Sequence, residues 1–379
     1  MKILHIALAS SFTEGMAYQE NVLTDLNCEA GHDVTIVTNA AKYVHGEVVE
    51  TEEEDRRLEN GLRLIRLKYD RVINSYVSGK IQKCRRVRDY LNEIQPDSIL
   101  YHGCNGYELM DVAEYAKEHP EVLFYVDSHA EFYNSAKTAV SKLFYRYIHG
   151  RYVKKALPYV KKVLPVCIEA EQWLEEVYGL PKDVMEIFLL GGLLVSPEEQ
   201  KASREQLIQQ YQLPEDAIIF SHSGKMSRSK KTRELLRAFR RVDNDKARLL
   251  IFGSFPEEDQ AEMEKLMAQD DRVLFLGWKV ADEQRMILGG TDVYCQPGAV
   301  SATSENASCA GCAMLLNDIP DYRDIYGDAG TFCRTEEDIF RLFDRYARDL
   351  DFLQQKKDEA YAVAEDKLDY RKLAERYLH

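Results

Sequence analysis

Lys2–Leu8 reads KILHIAL, Met16–His32 reads MAYQENVLTDLNCEAGH, and Asp33–Thr38 reads DVTIVT. The first and third runs are short and apolar, as suits strands buried on both faces. The second has apolar residues at helical spacing, with Gly31 placed to end a helix. Strand, helix, parallel strand is the βαβ unit, and it predicts a parallel sheet.

The pattern continues along the chain. LRLIRLKY (Leu62–Tyr69) alternates like a strand, and SGKIQKCRRVRDYLNEIQP (Ser78–Pro96) reads as a helix with a basic face. DSILYHG, VLFYVDSH and KVLPVC are further buried strands, and VSKLFYRYIHGRYVKKALPYV (Val140–Val160) is helical. The acidic HGEVVETEEEDRRLENG (His45–Gly61) reads as a solvated excursion. A second series begins near residue 217 with AIIFSHSG and runs through ARLLIFGS, RVLFLGW, TDVYCQPG and AMLLND, each followed by a helical segment. The stretch between, residues 191–216, holds glycines, prolines and charges and reads as a hinge.

At 379 residues the chain is long enough for two cores. The expected architecture is α/β, with two doubly wound parallel-sheet domains and a ligand site at the carboxyl ends of the strands. The expected division is 1–190, 191–363, and a terminal helix over 364–379. The net charge of −14 argues against a nucleic-acid partner. No apolar run reaches membrane-spanning length, and the N-terminus turns polar at Ser11 without a cleavage pattern, so a cytoplasmic protein is expected. Its eight cysteines are expected to be reduced thiols, Cys309 and Cys312 included, since no second pair or nearby histidine completes a zinc site.

Ligand class follows partly by exclusion. Only Gly15 stands in the turn after the first strand, so G-x-G-x-x-G is missing, and no Walker A pattern or metal-binding Asp or His motif occurs. Positive charge gathers instead in SHSGKMSRSKKTRELLRAF, where Lys225, Arg228, Lys230 and Lys231 follow a strand and open a helix. That setting suits a phosphate or diphosphate.

The order and spacing of several motifs resemble a retaining glycosyltransferase of family 4, with the GT-B fold. AGHDVTIVT, GKMSRSK, RVLFLGWKVADEQRMILGGTDVYCQPG and IPDYRDIYGDAGTFC carry the likeness, which spans nearly the whole chain. The resemblance implies an N-terminal acceptor domain, a C-terminal donor domain facing it across a cleft, and a last helix crossing back. It implies a hexosyltransferase-like enzyme with no cofactor and no metal. A nucleotide sugar, a UDP-sugar first, would be the donor, and a glycan or lipid-linked molecule of surface polysaccharide or glycolipid assembly the acceptor. Lys225 and Lys230 would face the diphosphate, Gly15 would give close approach to the phosphates, and His129 would stand by the transferred sugar. His102 and Asn105 would line the adjacent strand end. The LGWKV turn, ending at Val280, would lie near the base.

Family members have two Glu seven positions apart. This chain has only Glu305 in GAVSATSENA, with Pro297 eight positions before it. Glu305 is matched to the ribose-binding member, and Ser301, Thr303 and Ser304 to the turn that receives the diphosphate. The missing Glu leaves two other readings open: an epimerase or hydrolase on the same fold, using Glu131, and a non-catalytic nucleotide-sugar-binding subunit. Two basic stretches with aromatics, at 80–91 and 142–162, raise peripheral contact with the inner face of a membrane.

Overall fold

A computed structural model describes residues 1–44, 47–72, 78, 81, 83–132 and 134–379. The chain forms two compact units, Met1–Leu189 with Tyr370–His379, and Leu190–Asp369. Residues 364–369 thus stay with the second unit, and only the last ten return to the first.

Unit 1 is built on a seven-stranded sheet. Its strands are β1 (Lys2–Ala7), β2 (Asp33–Asn39), β5 (Glu54–Arg57), β6 (Arg63–Leu67), β7 (Ser98–Tyr101), β8 (Leu123–Ser128) and β9 (Lys162–Pro165). Their order is β5-β6-β2-β1-β7-β8-β9. All neighbours are parallel except β5 and β6. The chain winds outward from β1 in both directions, so the order reverses between β1 and β7. Helices Gln19–Glu29, Arg86–Ile94 and Glu108–Glu118 connect the strands. The central strands fill one core with apolar side chains: Leu4, Ile6, Val37, Ile65, Ile99, Phe124 and Val126 are all buried in it.

The acidic run at 45–61 is solvated among its described residues, but it forms strands and not an open excursion. Ala41–Val44 (β3) pairs antiparallel with Glu47–Glu50 (β4), and β5 adds an antiparallel edge to β6. Charge explains it. Glu54 of β5 lies opposite Arg66 of β6 and Asp55 reaches Arg63 diagonally, and opposite charges stabilise a strand pair. Arg63 bonds Asp55 at 2.7 Å, and the buried Arg66 bonds Glu54 at 2.6 Å. Arg66 also donates to the carbonyls of Phe12 and Ala41.

Unit 2 has a six-stranded, wholly parallel sheet, ordered β12-β11-β10-β13-β14-β15. The strands are β10 (Ile218–Lys225), β11 (Ala247–Ser254), β12 (Val273–Gly277), β13 (Val293–Gln296), β14 (Ala313–Asn317) and β15 (Thr331–Cys333). Here the order reverses between β10 and β13. The 191–216 stretch is not a hinge loop but belongs to unit 2 as the helix Pro197–Tyr211. Ser196 and Glu199 form a reciprocal capping box, and Pro197 sits in the first turn. The charges that suggested a loop form the solvated face, and Leu207 is the fully buried anchor.

Cys309 and Cys312 are both fully buried. Cys309 ends the helix Thr303–Cys309, whereas Cys312 lies past Gly311, whose φ of +86° turns the chain into β14. Cys312 donates its thiol to the Leu288 carbonyl, and burial raises its pKa to about 12. All eight cysteines are free thiols.

Candidate functional site

In open α/β sheets ligands gather where the strand order reverses, at the carboxyl ends. In unit 2 that place is the pair of loops after β10 and β13. The backbones of the two loops touch. Ala299 N–H donates to Ser229 O at 2.9 Å, and a Cβ on Gly298 would lie 2.1 Å from that same oxygen. Only glycine fits there.

Lys230 crosses between the loops and donates to the carbonyls of Ala299 (3.2 Å) and Val300 (2.9 Å). Burial pushes its pKa down to about 8, with the Glu305 carboxylate acting the other way. Beside it the last residue but one of β10 is Gly224, with φ +125°. A Cβ there would stand 3.8 Å from Lys230 Nζ and 3.9 Å from Ser301 Oγ. An ammonium and a hydroxyl therefore flank a spot bare of side chain, a setting that favours an anionic oxygen. Lys225, the next residue, is exposed at the strand end.

The serines divide. Ser301 Oγ is 3.5 Å from Thr303 Oγ1, and both residues are half-buried at the loop. Ser304 does not face the loop's opening: it is fully buried and its hydroxyl is engaged by Tyr322 OH at 2.9 Å. Its assignment to the diphosphate is corrected to one of holding the helix Thr303–Cys309 against the helix Pro320–Tyr326. Glu305 is buried beside Tyr322 and Tyr326, whose phenols are raised by burial first and then by its charge. Val280 opens the helix Ala281–Gly289. Its N–H donates to Glu283 Oε2 and its carbonyl accepts from Gln284, so only its exposed side chain is open to a ligand.

In unit 1 the candidates also sit at the carboxyl edge. Gly15 (φ +75°) lies in the loop after β1, with open space around it. His102 and Asn105 follow β7, and His129 follows β8. His102 is corrected from a substrate contact to an internal link of unit 1, because both its ring nitrogens are occupied inside the protein. Nδ1 lies 2.6 Å from Asp127 Oδ2, and Nε2 lies 3.0 Å from His5 Nδ1. Asn27 fixes the proton positions. Its amide donates to Ala374 O, so its oxygen accepts, from Tyr377 OH at 2.6 Å and from His5 Nε2–H at 3.2 Å. His5 is neutral, since burial and then His102 push its pKa down to about 3. Its Nδ1 therefore accepts from His102 Nε2–H.

The far side of Asp127 meets Gly103 N–H at 2.8 Å and His129 Nε2 at 3.8 Å. Burial disfavours the Asp127 charge, but His102 and His129 hold its carboxyl below the usual range. For His129, desolvation acts against the cation and the Asp127 carboxylate prevails, raising its pKa. Its side chain is 43% exposed, so it is the member of this chain of groups that solvent and ligands reach. Asn105 is half-buried, with its carbonyl accepting from Tyr101 OH.

Asp127, His5 and, in unit 2, His222 escaped the sequence reading. His222 donates Nδ1–H to Cys295 O and accepts at Nε2 from Thr232 Oγ1, and burial pushes it down to about 4. The available signal was one ionisable residue inside an otherwise apolar strand, which must be bonded internally.

Comparison with solved structures places the architecture. A glycosyltransferase from Rickettsia africae superposes with a TM-score of 0.70 at 14% identity, over 100% of this chain and 96% of that one. Sucrose-phosphate synthase from Thermosynechococcus elongatus gives 0.69 at 13%, over 98% and 96%. HepE from Anabaena, in complex with UDP-glucose, gives 0.67 at 13%, over 100% and 98%. The fold is GT-B. Residues 203–350 match the family model described as glycosyl transferases group 1. No curated protein sequence matches the chain. The matched segment contains Lys225, Lys230, Val280, Ser301, Thr303 and Glu305.

Proposed function

We propose that this GT-B chain transfers a sugar from a nucleotide-diphosphate sugar, a UDP-sugar, to a glycan or lipid-linked acceptor, with retention and without a metal. The single observation that carries the reading is the half-buried Lys230 ammonium beside the bare Gly224 and the Ser301 hydroxyl, inside the segment that matches glycosyl transferases group 1. A structure of similar fold in complex with UDP-glucose supports the choice of donor.

In this reading Lys230 and the exposed Lys225 stabilise the diphosphate as its bond to the sugar breaks, and Ser301 and Thr303 add hydroxyl donors. Glu305 takes the ribose and the Val280 side chain the base. Gly15 permits close approach, and His129 bonds a sugar hydroxyl. The pathway is surface polysaccharide or glycolipid assembly in the cytoplasm, with the protein meeting its lipid-linked acceptor at a membrane. Unit 1 serves the acceptor and unit 2 the donor. The lone Glu305 keeps one rival, a subunit that binds the nucleotide sugar without turnover.

The test is nucleotide release from UDP-sugars by the protein and by Lys230→Ala. Turnover should fall at least tenfold, about 1.4 kcal/mol of transition-state binding. Thermal stabilisation by UDP with no release from any UDP-sugar would favour the binding subunit. Stabilisation by no nucleotide would overturn both.

A further inference from the structure

The hairpin of β3 and β4 stands over a cavity of unit 1 that no residue of the proposed transfer site lines. It measures about 640 Å³, within the roughly 300–1,000 Å³ of small-molecule sites. Asn39, Val48, Glu50, Leu67, Tyr69 and Arg71 are on its walls. Asn39 and Leu67 end β2 and β6, so the cavity lies at the carboxyl edge of the sheet, where ligands gather in open α/β folds. Val48 and Glu50 are two apart in β4 and share one face of the hairpin.

Each wall residue brings a definite chemistry. Asn39 is 8% exposed. Its amide donates to the carbonyls of Leu8 (3.0 Å) and Ser10 (3.1 Å), which fixes how the amide is turned. Its Oδ1 then has no donor among the described residues, a cost that a ligand O–H removes. Tyr69 spends its hydroxyl on Leu8 O, so what it offers the cavity is its ring. Glu50 and Arg71 are exposed, and neither makes an ion pair among the described residues. Lys68 between them in space is held by Glu52 at 2.8 Å.

The walls thus combine hydrogen-bond acceptors, a guanidinium fork and apolar surface. A polyhydroxylated ring matches all three, because its hydroxyls both donate and accept and its C–H faces are apolar. A lipid chain would bury Asn39 Oδ1 and the Glu50 carboxylate without partners. A phosphate would meet Glu50 as a like charge. Position then sets the ligand's length. His129 follows β8, which is three strands from β2 and four from β6 in the sheet order. At about 4.8 Å per strand the cavity stands roughly 14–19 Å from His129, the reach of about three linked sugar rings and not of one.

We infer that this cavity holds one sugar unit of an extended glycan acceptor, an oligosaccharide whose other end receives the transferred sugar beside His129. The acidic run of the hairpin is then a wall of the acceptor site, with Glu50 and Arg71 selecting hydroxyl-rich rings. The inference deepens the acceptor side of the proposed function and rests on that reading for the place of transfer. Glycan binding is read without donor, so the cavity and the transfer reaction fail separately.

The experiment screens the full chain, without donor, against immobilised neutral oligosaccharides of hexoses and N-acetylhexosamines, from monosaccharides upward in length. Titration calorimetry then measures the tightest ligand. Oligosaccharides should bind at least about tenfold more tightly than their monosaccharide. Glu50→Ala, Arg71→Ala and the cavity-filling Val48→Trp should each weaken that binding at least about tenfold. All three side chains are exposed, so thermal melting and UDP affinity should stay as in the parent chain. If Val48→Trp melts early, the other two variants decide. Retention of no oligosaccharide, a monosaccharide bound as tightly as its oligomers, or variants that bind like the parent would overturn the assignment. An alkyl glycoside bound where the free oligosaccharide is not would give the cavity to a lipid and overturn it too. Glycan binding by a chain that releases no nucleotide from any UDP-sugar would uphold the cavity and overturn only the transfer reaction.

Discussion

Lys230 and His129 are charged groups whose neighbours set their pKa values in opposite directions. Lys230 is lowered to about 8 by burial, so its positive charge is lost as pH rises through that value. Affinity for UDP should weaken above about pH 8, and titration calorimetry from pH 7 to 9 would show it; a flat profile would remove the ammonium from the diphosphate. His129 is raised by the Asp127 carboxylate, against desolvation. Asp127→Asn should therefore lower the His129 pKa, measurable by NMR titration of its ring protons. The same change takes the buried carboxylate from His102 Nδ1 and Gly103 N–H, which costs on the order of 3–5 kcal/mol in denaturant unfolding. Asp127→Asn that leaves stability intact would mean that this carboxylate does not anchor the strand ends it bonds. Of these residues, Lys230 was visible in GKMSRSK and His129 in VLFYVDSH. Asp127 was in view but not recognised, because which partners meet a strand carboxylate depends on β1 and the C-terminal segment, far away in sequence.

At the scale of elements, the loops after β10 and β13 are joined through glycine. Gly298→Ala would drive a methyl group into Ser229 O, a backbone atom that cannot rotate away. The loops would have to part, at a cost of roughly 1–3 kcal/mol, and Lys230 would lose its carbonyl partners on the second loop. The expected outcome is a lower melting temperature together with weakened UDP binding, checked by calorimetry of both; unaltered binding would show that the loop contact does not shape the site. The βαβ units were legible because apolar runs and helical spacing are local. The β5 edge was not, since an acidic run carries no sign of a strand until Arg66 of β6 is known to lie opposite Glu54. Pro197–Tyr211 was misread for a related reason: its hydrophobic anchor is narrow, and charge dominates the composition of its solvated turns.

At the scale of the molecule, each sheet has a neutral histidine in its central first strand, His5 in β1 and His222 in β10. Their folded pKa values, about 3 and about 4, lie below the unfolded value near 6.5. The unfolded chain binds more protons between those limits, so stability is complete above about pH 6.5 and declines as pH falls toward 4. His222→Asn should flatten the acid slope of melting temperature, with on the order of 3 kcal/mol at stake for that one group between its unfolded pKa and about 4. An unchanged slope would place the acid sensitivity elsewhere. The last ten residues return to unit 1, where Tyr377 is fully buried against His5 and Phe188. Tyr377→Ala should cost roughly 3–5 kcal/mol in denaturant unfolding, and a surface-like loss under about 1 kcal/mol would contradict its packing. By itself the sequence determined two α/β series and a basic loop suited to phosphate, because periodicity, charge and turn residues act over a few positions. Only the tertiary structure decided which groups are spent internally and which remain open. His102 and Ser304 are closed off by partners 97 and 18 residues away, while Lys230, Ser301 and His129 stay within reach of a ligand, and no local pattern carries that distinction.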